Sequence, residues 1–157
     1  MRLTPHFTFA ELTRSAKADA LGIDNTPPPE LLPRLVLLAE LLERIRAAAA
    51  YPVTVTSGYR CQKLNDAVGK RKTSDHIHGH AADIVAPGFG TPPELARLLV
   101  PLVDALGIGQ LILEEITQTD GRKKRWVHVS THRPERPINR IITINDAGIL
   151  PGIVGTT

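Results

Sequence analysis

Leucine and isoleucine fall at Leu31, Leu35, Leu38, Leu42 and Ile45, in alternating steps of four and three that place them on one stripe of an α-helix. Prolines in the preceding "TPPPELLPR" suit a helix start, where a missing amide proton costs nothing, and Arg34 and Arg44 fall on the opposite, wet side. Two further helix starts carry Thr-x-x-Glu, "TFAE" at 8–11 and "TPPE" at 91–94, in which a hydroxyl and a carboxylate can satisfy free amide donors. The second of these is expected to run to Gly107 with a kink at Pro101. All three read as scaffold.

Between them the pattern changes to β-branched stretches: "VTVTS" at 53–57, "AADIV" at 81–85, "QLILEEIT" at 110–117, "RWVHVST" at 125–131 and "RIITI" at 140–144. The period of two predicts that Trp126, His128 and Ser130 share one strand face while Val127 and Val129 take the other. It likewise separates Gln110, Ile112 and Glu114 from the core-directed Leu111 and Leu113. Asp-Gly within "TDGRK" at 119–123 is a hairpin signal, so the strands on either side of it are expected to be antiparallel neighbours. A single α+β domain over residues 1–157 is expected, with helices grouped at the ends of a small, largely antiparallel sheet.

Composition narrows the classes. With 157 residues, 42% hydrophobic and 22% charged, the chain suits one globular core and neither disorder nor a fibrous repeat. Its longest apolar runs, such as "LVLLA" at 35–39, are far shorter than the roughly 20 residues of a membrane span. The opening "MRLTPHFTFAELTRS" lacks the apolar segment of a secretory signal, so synthesis in the cytoplasm and a monomeric, soluble product are expected. A pI near 9.3 points to an anionic partner. No nucleic-acid motif accompanies it, and the basic runs at 69–72 and 121–125 read as solvated charge beside turns. The lone Cys61 can form no internal disulfide and reads as an inert thiol; any metal site depends on His, Asp or Glu, which favours a hard or borderline ion, zinc among them.

Candidate chemistry is concentrated in "TSDHIHGHAADIVAP" at 73–87, which holds three of the six histidines. A catalytic zinc takes three N or O ligands and keeps one position open. His76 and Asp83, with six residues between them including Gly79, could supply two of them from a turn and the strand it leads into. His128, held between two valines that bury the opposite face, is rigid enough to be the third. His6 and His132 read as ordinary packed or solvated residues.

The segment "SDHIHGHAAD" at 74–83 resembles the S-x-H-x-x-G-x-A-x-D hallmark of the zinc D-Ala-D-Ala carboxypeptidases and related peptidoglycan endopeptidases, including many phage endolysins. "SGYRCQKLNDAVG" at 57–69 resembles the family's SGYR element and the stretch after it, and "QLILE" and "WVHVS" resemble its closing strands. "HFTFAELTRS" and "GIDN" at 22–25 are similar to phage-type members, so the likeness covers residues 6–131 and leaves the C-terminal strand and tail, 132–157, unmatched.

The resemblance implies Zn2+ held by His76, Asp83 and His128, with Arg60 gripping a substrate carboxylate or carbonyl and Ser74 bonding the substrate or steadying its loop. It leaves His78 and His80 as neighbours. Several branches carry an acid three positions before the last histidine, where this chain has Arg125, so the general base has to come from Glu114 or Glu115. The resemblance points to Glu114; a two-residue hairpin loop would put Glu115 on the face of His128, and a three-residue loop Glu114. The implied activity is hydrolysis of peptidoglycan stem peptides or cross-links, after holin-type release or from a phage particle. A zinc-containing virion or wall-binding module without catalysis is the alternative, and Arg125 is its support.

Overall fold

The computed structural model describes residues 1–69 and 74–155. Its main sheet has six strands in the order β3 (Thr54–Ser57), β4 (Ala81–Val85), β6 (Lys123–Ser130), β5 (Gln110–Thr117), β7 (Ile141–Asn145) and β8 (Gly148–Pro151). A separate two-stranded hairpin, β1 (Arg2–Thr4) and β2 (Phe7–Thr8), precedes it. Every pairing in the main sheet is antiparallel except β5 with β7, which is parallel. The expected α+β architecture is therefore present, in a mixed, mostly antiparallel form.

Helix α1 (Phe9–Thr13) starts with the capping box of Thr8 and Glu11. The long helix α3 (Leu32–Ala49) buries Leu35, Leu38, Leu42 and Ile45 as the spacing predicts; Leu31 belongs instead to a 3-10 turn before it and is half-buried. The helix expected over 91–107 is broken rather than kinked. A second Thr–Glu box opens α5 (Pro92–Leu99), a 3-10 turn spans Val100–Leu102, and α6 (Val103–Leu106) ends at Gly107 in the left-handed conformation. Pro101 has no amide proton and its ring crowds the preceding turn, so the α ladder cannot run through it. Two helices carry no usable periodicity because they are a turn and a half long: α2 (Ala16–Leu21) and α4 (Gln62–Ala67). None of the described helices is long and apolar enough to cross a membrane.

The helices do not sit at the two ends of the sheet. Leu38, Leu42 and Ile45 of α3 and Leu95 and Leu99 of α5 pack with Ala82, Ile84, Leu111, Leu113, Val127 and Val129 in one core, so α3 and α5 cover the same sheet face. The alternate residues of β4, β5 and β6 are left for the other face, and the candidate site lies there.

Candidate metal centre and cleft

Asp83 and His128 are placed by strand register, since β4 and β6 pair them directly across from one another. His76 comes from the turn before β4, where the Ile77 amide donates to the Ser74 carbonyl at 3.0 Å and the His78 amide to the Asp75 carbonyl at 3.2 Å. Gly79 closes that turn at φ 73, a conformation that favours glycine. The Nδ1 atom of His76 is 2.8 Å from the Gly58 carbonyl oxygen. A carbonyl can only accept, so Nδ1 carries the proton and the Nε2 lone pair is left free for an ion shared with Asp83. Gly58 itself admits no side chain, because a Cβ there would lie 2.2 Å from the Leu12 carbonyl oxygen.

Oδ1 of Asp83 lies 3.3 Å from Nε2 of His76 and 3.3 Å from Nδ1 of His128. All three residues are buried, and their donor atoms lie within 4.8 Å of one another. Those separations are long for charge-assisted hydrogen bonds, which run about 2.7–2.9 Å. They match the edge, about 3.3–3.4 Å, of a tetrahedron whose centre is bonded at about 2.0–2.1 Å. The donor set therefore fits a zinc-sized ion. Burial raises the Asp83 carboxyl pKa, yet the charges and hydrogen bonds of His76 and His128 outweigh it and hold that group far below the usual carboxylate range. Burial likewise opposes protonation of His128, but the Asp83 carboxylate prevails and lifts its pKa.

A cleft of about 770 Å³ opens over this centre and is bordered by Arg60, Ser74, Ile112 and Glu114. The hairpin register fixes the carboxylates. Glu114 pairs with Trp126 and Glu115 with Arg125, and the Gln118 amide donates to the Arg122 carbonyl at 2.7 Å. The loop proper is thus the three residues 119–121, with Gly121 at φ 82 supplying the left-handed position such loops require. Glu114 falls on the face of His128, whereas the Glu115 carboxylate is engaged by Lys123 Nζ at 3.0 Å. Arg125 shares the face of Val127.

Arg60 is only 7% exposed. Its Nη1 reaches Ser57 Oγ at 3.4 Å, and its buried Nε has no hydrogen-bond partner among the described residues. Burial lowers the guanidinium pKa, against the pull of the Asp83 and Glu114 carboxylates. Asn25 clamps the loop that carries it, donating to the Thr13 and Tyr59 carbonyls at 2.8 and 2.9 Å and accepting from the Cys61 amide at 2.8 Å. Ser74 Oγ accepts from the His76 amide at 3.2 Å, steadying the turn. Cys61 caps α4, its Sγ accepting from the Leu64 amide at 3.4 Å.

Three features escape the sequence. His132, expected to be an ordinary packed or solvated residue, borders the cleft, stacks on His80 with centroids 5.3 Å apart, and places Nδ1 3.3 Å from Asp75 Oδ1. Asp75 in turn accepts from Ser130 Oγ at 2.8 Å, tying the His76 turn to the end of β6. The C-terminal strand and tail, left unmatched by the resemblance, form a wall of the cleft through Arg136, Ile142, Ile144 and Ile149. His80 is half-buried with its pKa lowered first by burial and then by Arg34, while His78 is exposed and His6 pairs with Glu43 at 2.7 Å. Of the basic run at 69–72, only Gly69 lies within the described residues.

A family model described as peptidase M15 matches residues 5–130. The chain belongs to the peptidase M15 family. It is also 34% identical over 94 residues to the "Zinc D-Ala-D-Ala carboxypeptidase" of Streptomyces albus G, a stretch that makes up 59% of this chain and 36% of that relative. The M15 match ends at the last residue of β6, so β7 and β8 lie beyond it.

Proposed function

We propose that this M15 chain is a zinc metallopeptidase that hydrolyses a peptide bond in peptidoglycan stem peptides or their cross-links. The observation that carries the reading is the Asp83 oxygen 3.3 Å from each of two imidazole nitrogens, at the floor of a cleft that Glu114 also borders. The name of the Streptomyces albus G relative supports zinc as the ion and D-Ala-D-Ala peptides as the substrate class.

His76, Asp83 and His128 would hold the ion, and zinc supplies a Lewis acid that polarises the scissile carbonyl and favours ionisation of water near neutral pH. Glu114 takes the proton of the attacking water and delivers it to the leaving amine. Its position in β5, one strand from His128, supports that role, whereas the Glu115 carboxylate is engaged by Lys123. Arg60 directs its planar donors at a substrate carboxylate or carbonyl, a geometry an ammonium cannot copy. Ser74 keeps His76 oriented through its amide and offers its hydroxyl to the substrate.

A cell-wall setting in phage lysis or virion entry rests on the likeness of "HFTFAELTRS" and "GIDN" to phage-type sequences. Metal analysis and mass spectrometry of digested peptidoglycan test the whole reading. One zinc per chain, lost in His76→Ala, with new stem-peptide termini in the digest, is the expected result. Zinc retained with no product would favour the non-catalytic wall-binding module instead.

A further inference from the structure

We propose that His132, just beyond the M15 match, is a further substrate-binding residue of the cleft: its imidazole, fixed between Asp75 and His80, accepts a main-chain N–H of the bound peptide about two residues from the scissile bond. The inference rests on the peptidase reading above and deepens it by assigning that contact.

A half-exposed histidine ordinarily samples several rotamers, and this one is restrained on three sides. Its backbone amide donates to Ser130 Oγ at 3.0 Å, its Nδ1 lies 3.3 Å from Asp75 Oδ1, and its ring stacks on His80 with 17° between the planes. The restraints are themselves held. Asp75 Oδ2 accepts from Ser130 Oγ at 2.8 Å, and the Thr131 amide donates to the His80 carbonyl at 3.0 Å. Burial and Arg34 lower the His80 pKa, so the ring against His132 is uncharged at neutral pH and does not repel it. Solvation alone asks for none of this anchoring, and the anchored ring borders the cleft with its side chain 54% exposed.

A carboxylate beside Nδ1 favours the tautomer that carries its proton there, which leaves the Nε2 lone pair on the open edge of the ring. A lone pair accepts, so the complementary group is an N–H, and the main chain of an extended peptide supplies one whatever its side chains are. Sheet register gives the position. The Ser130–Gln110 pair lies two residues along the strands from the His128–Ile112 pair, and the Trp126–Glu114 pair lies two residues the other way. Each step is about 6.5–7 Å. Asp75 is bonded to Ser130, so the His132 corner sits across the metal centre from Glu114, an offset of about two residues of extended peptide.

The test uses the zinc-loaded full chain on a defined stem peptide. His132→Asn keeps a polar atom near the Nδ1 position and removes the one at Nε2, and His132→Gln does the reverse. KM should rise about two- to tenfold in His132→Asn, the scale of one hydrogen bond, with kcat little changed, and His132→Gln should recover most of the loss. With the peptide shortened from one end or the other, one of the two short forms should be handled equally by the wild type and His132→Asn. An intact His132→Asn beside an impaired His132→Gln overturns the proposal and reduces His132 to its Asp75 contact. A fall in kcat alone, or a defect that survives both shortenings, overturns it as well, and so does a second zinc held by the wild type and lost in both variants, which would make the corner a metal site. If the wild type cleaves no peptide the peptidase reading falls, and dissociation constants of the same peptide for the three proteins decide the contact: weaker binding in His132→Asn alone upholds it, and equal constants or no binding overturn it.

Discussion

Gly58→Ala offers a test of how the centre is built, because the Gly58 carbonyl is the group that faces His76 Nδ1. A Cβ at this position would lie 2.2 Å from the Leu12 carbonyl oxygen, 2.8 Å from its carbon and 3.0 Å from its Cα, where ordinary contact begins at 3.4 Å. The obstacle is backbone, so the strand exit has to withdraw from α1 by about 1 Å. That movement strains the Tyr59 amide bond to Leu12, now 2.7 Å, and carries off the Gly58 carbonyl, now 2.8 Å from His76 Nδ1. Overpacking of this kind costs about 1–3 kcal/mol and a lost backbone hydrogen bond about 0.5–1.5 kcal/mol, so a loss of about 2–4 kcal/mol is expected in denaturant unfolding of the metal-free protein. Loss of the group that orients a ligating imidazole should weaken zinc binding about 10–100-fold, read by competition with a chromophoric chelator. Gly121→Ala is the control: it strains a positive φ in the hairpin loop, has open space around it, and is far along the chain from His76. Zinc affinity in Gly58→Ala equal to that of the wild type, or reduced no more than in the control, would refute the claim that this carbonyl sets the His76 donor.

Glu114→Gln is expected to keep zinc and stability and lose about 10²–10⁴ in rate, while Glu115→Gln, which removes only the partner of Lys123, loses little; a dead Glu115 variant beside an active Glu114 variant would reverse the assignment. Arg60→Lys should retain fold and metal but lower turnover on a defined stem peptide, since a point charge replaces a fixed fork in a buried position; unchanged kinetics would reduce Arg60 to a packing role.

Much of the architecture is legible in the residues themselves. Period two along "RWVHVS" assigns His128 and Val127 to opposite faces, and the two Thr–Glu boxes mark real helix starts. What resists reading depends on geometry that residue types do not encode. The choice between Glu114 and Glu115 rests on loop length, which the shared Asp-Gly leaves open until the Gln118–Arg122 bond closes a three-residue loop. The parallel pairing of β7 with β5 arises from a crossover through the 3-10 turn Pro137–Asn139, and "RIITI" alone does not disclose its direction. His132 reaches the cleft because of where β6 ends and where Asp75 waits, and no local pattern carries that information.

The two edges of the main sheet bear on solubility. β3 is four residues long with a register shift between Val55 and Ser57, and β8 is four residues long and ends in Pro151, which has no amide to offer a neighbour. Short, irregular or proline-terminated edges discourage pairing between chains. Behind β8 lies the run "IITI" of β7, apolar, β-branched and uncharged, the composition that readily stacks into cross-β assemblies once its hydrogen-bonding row is bare. A chain shortened after residue 145 would thus keep every metal ligand and the entire M15 match while converting a covered inner strand into a sticky one. Its failure would show as aggregation on expression, a cost unrelated to catalysis.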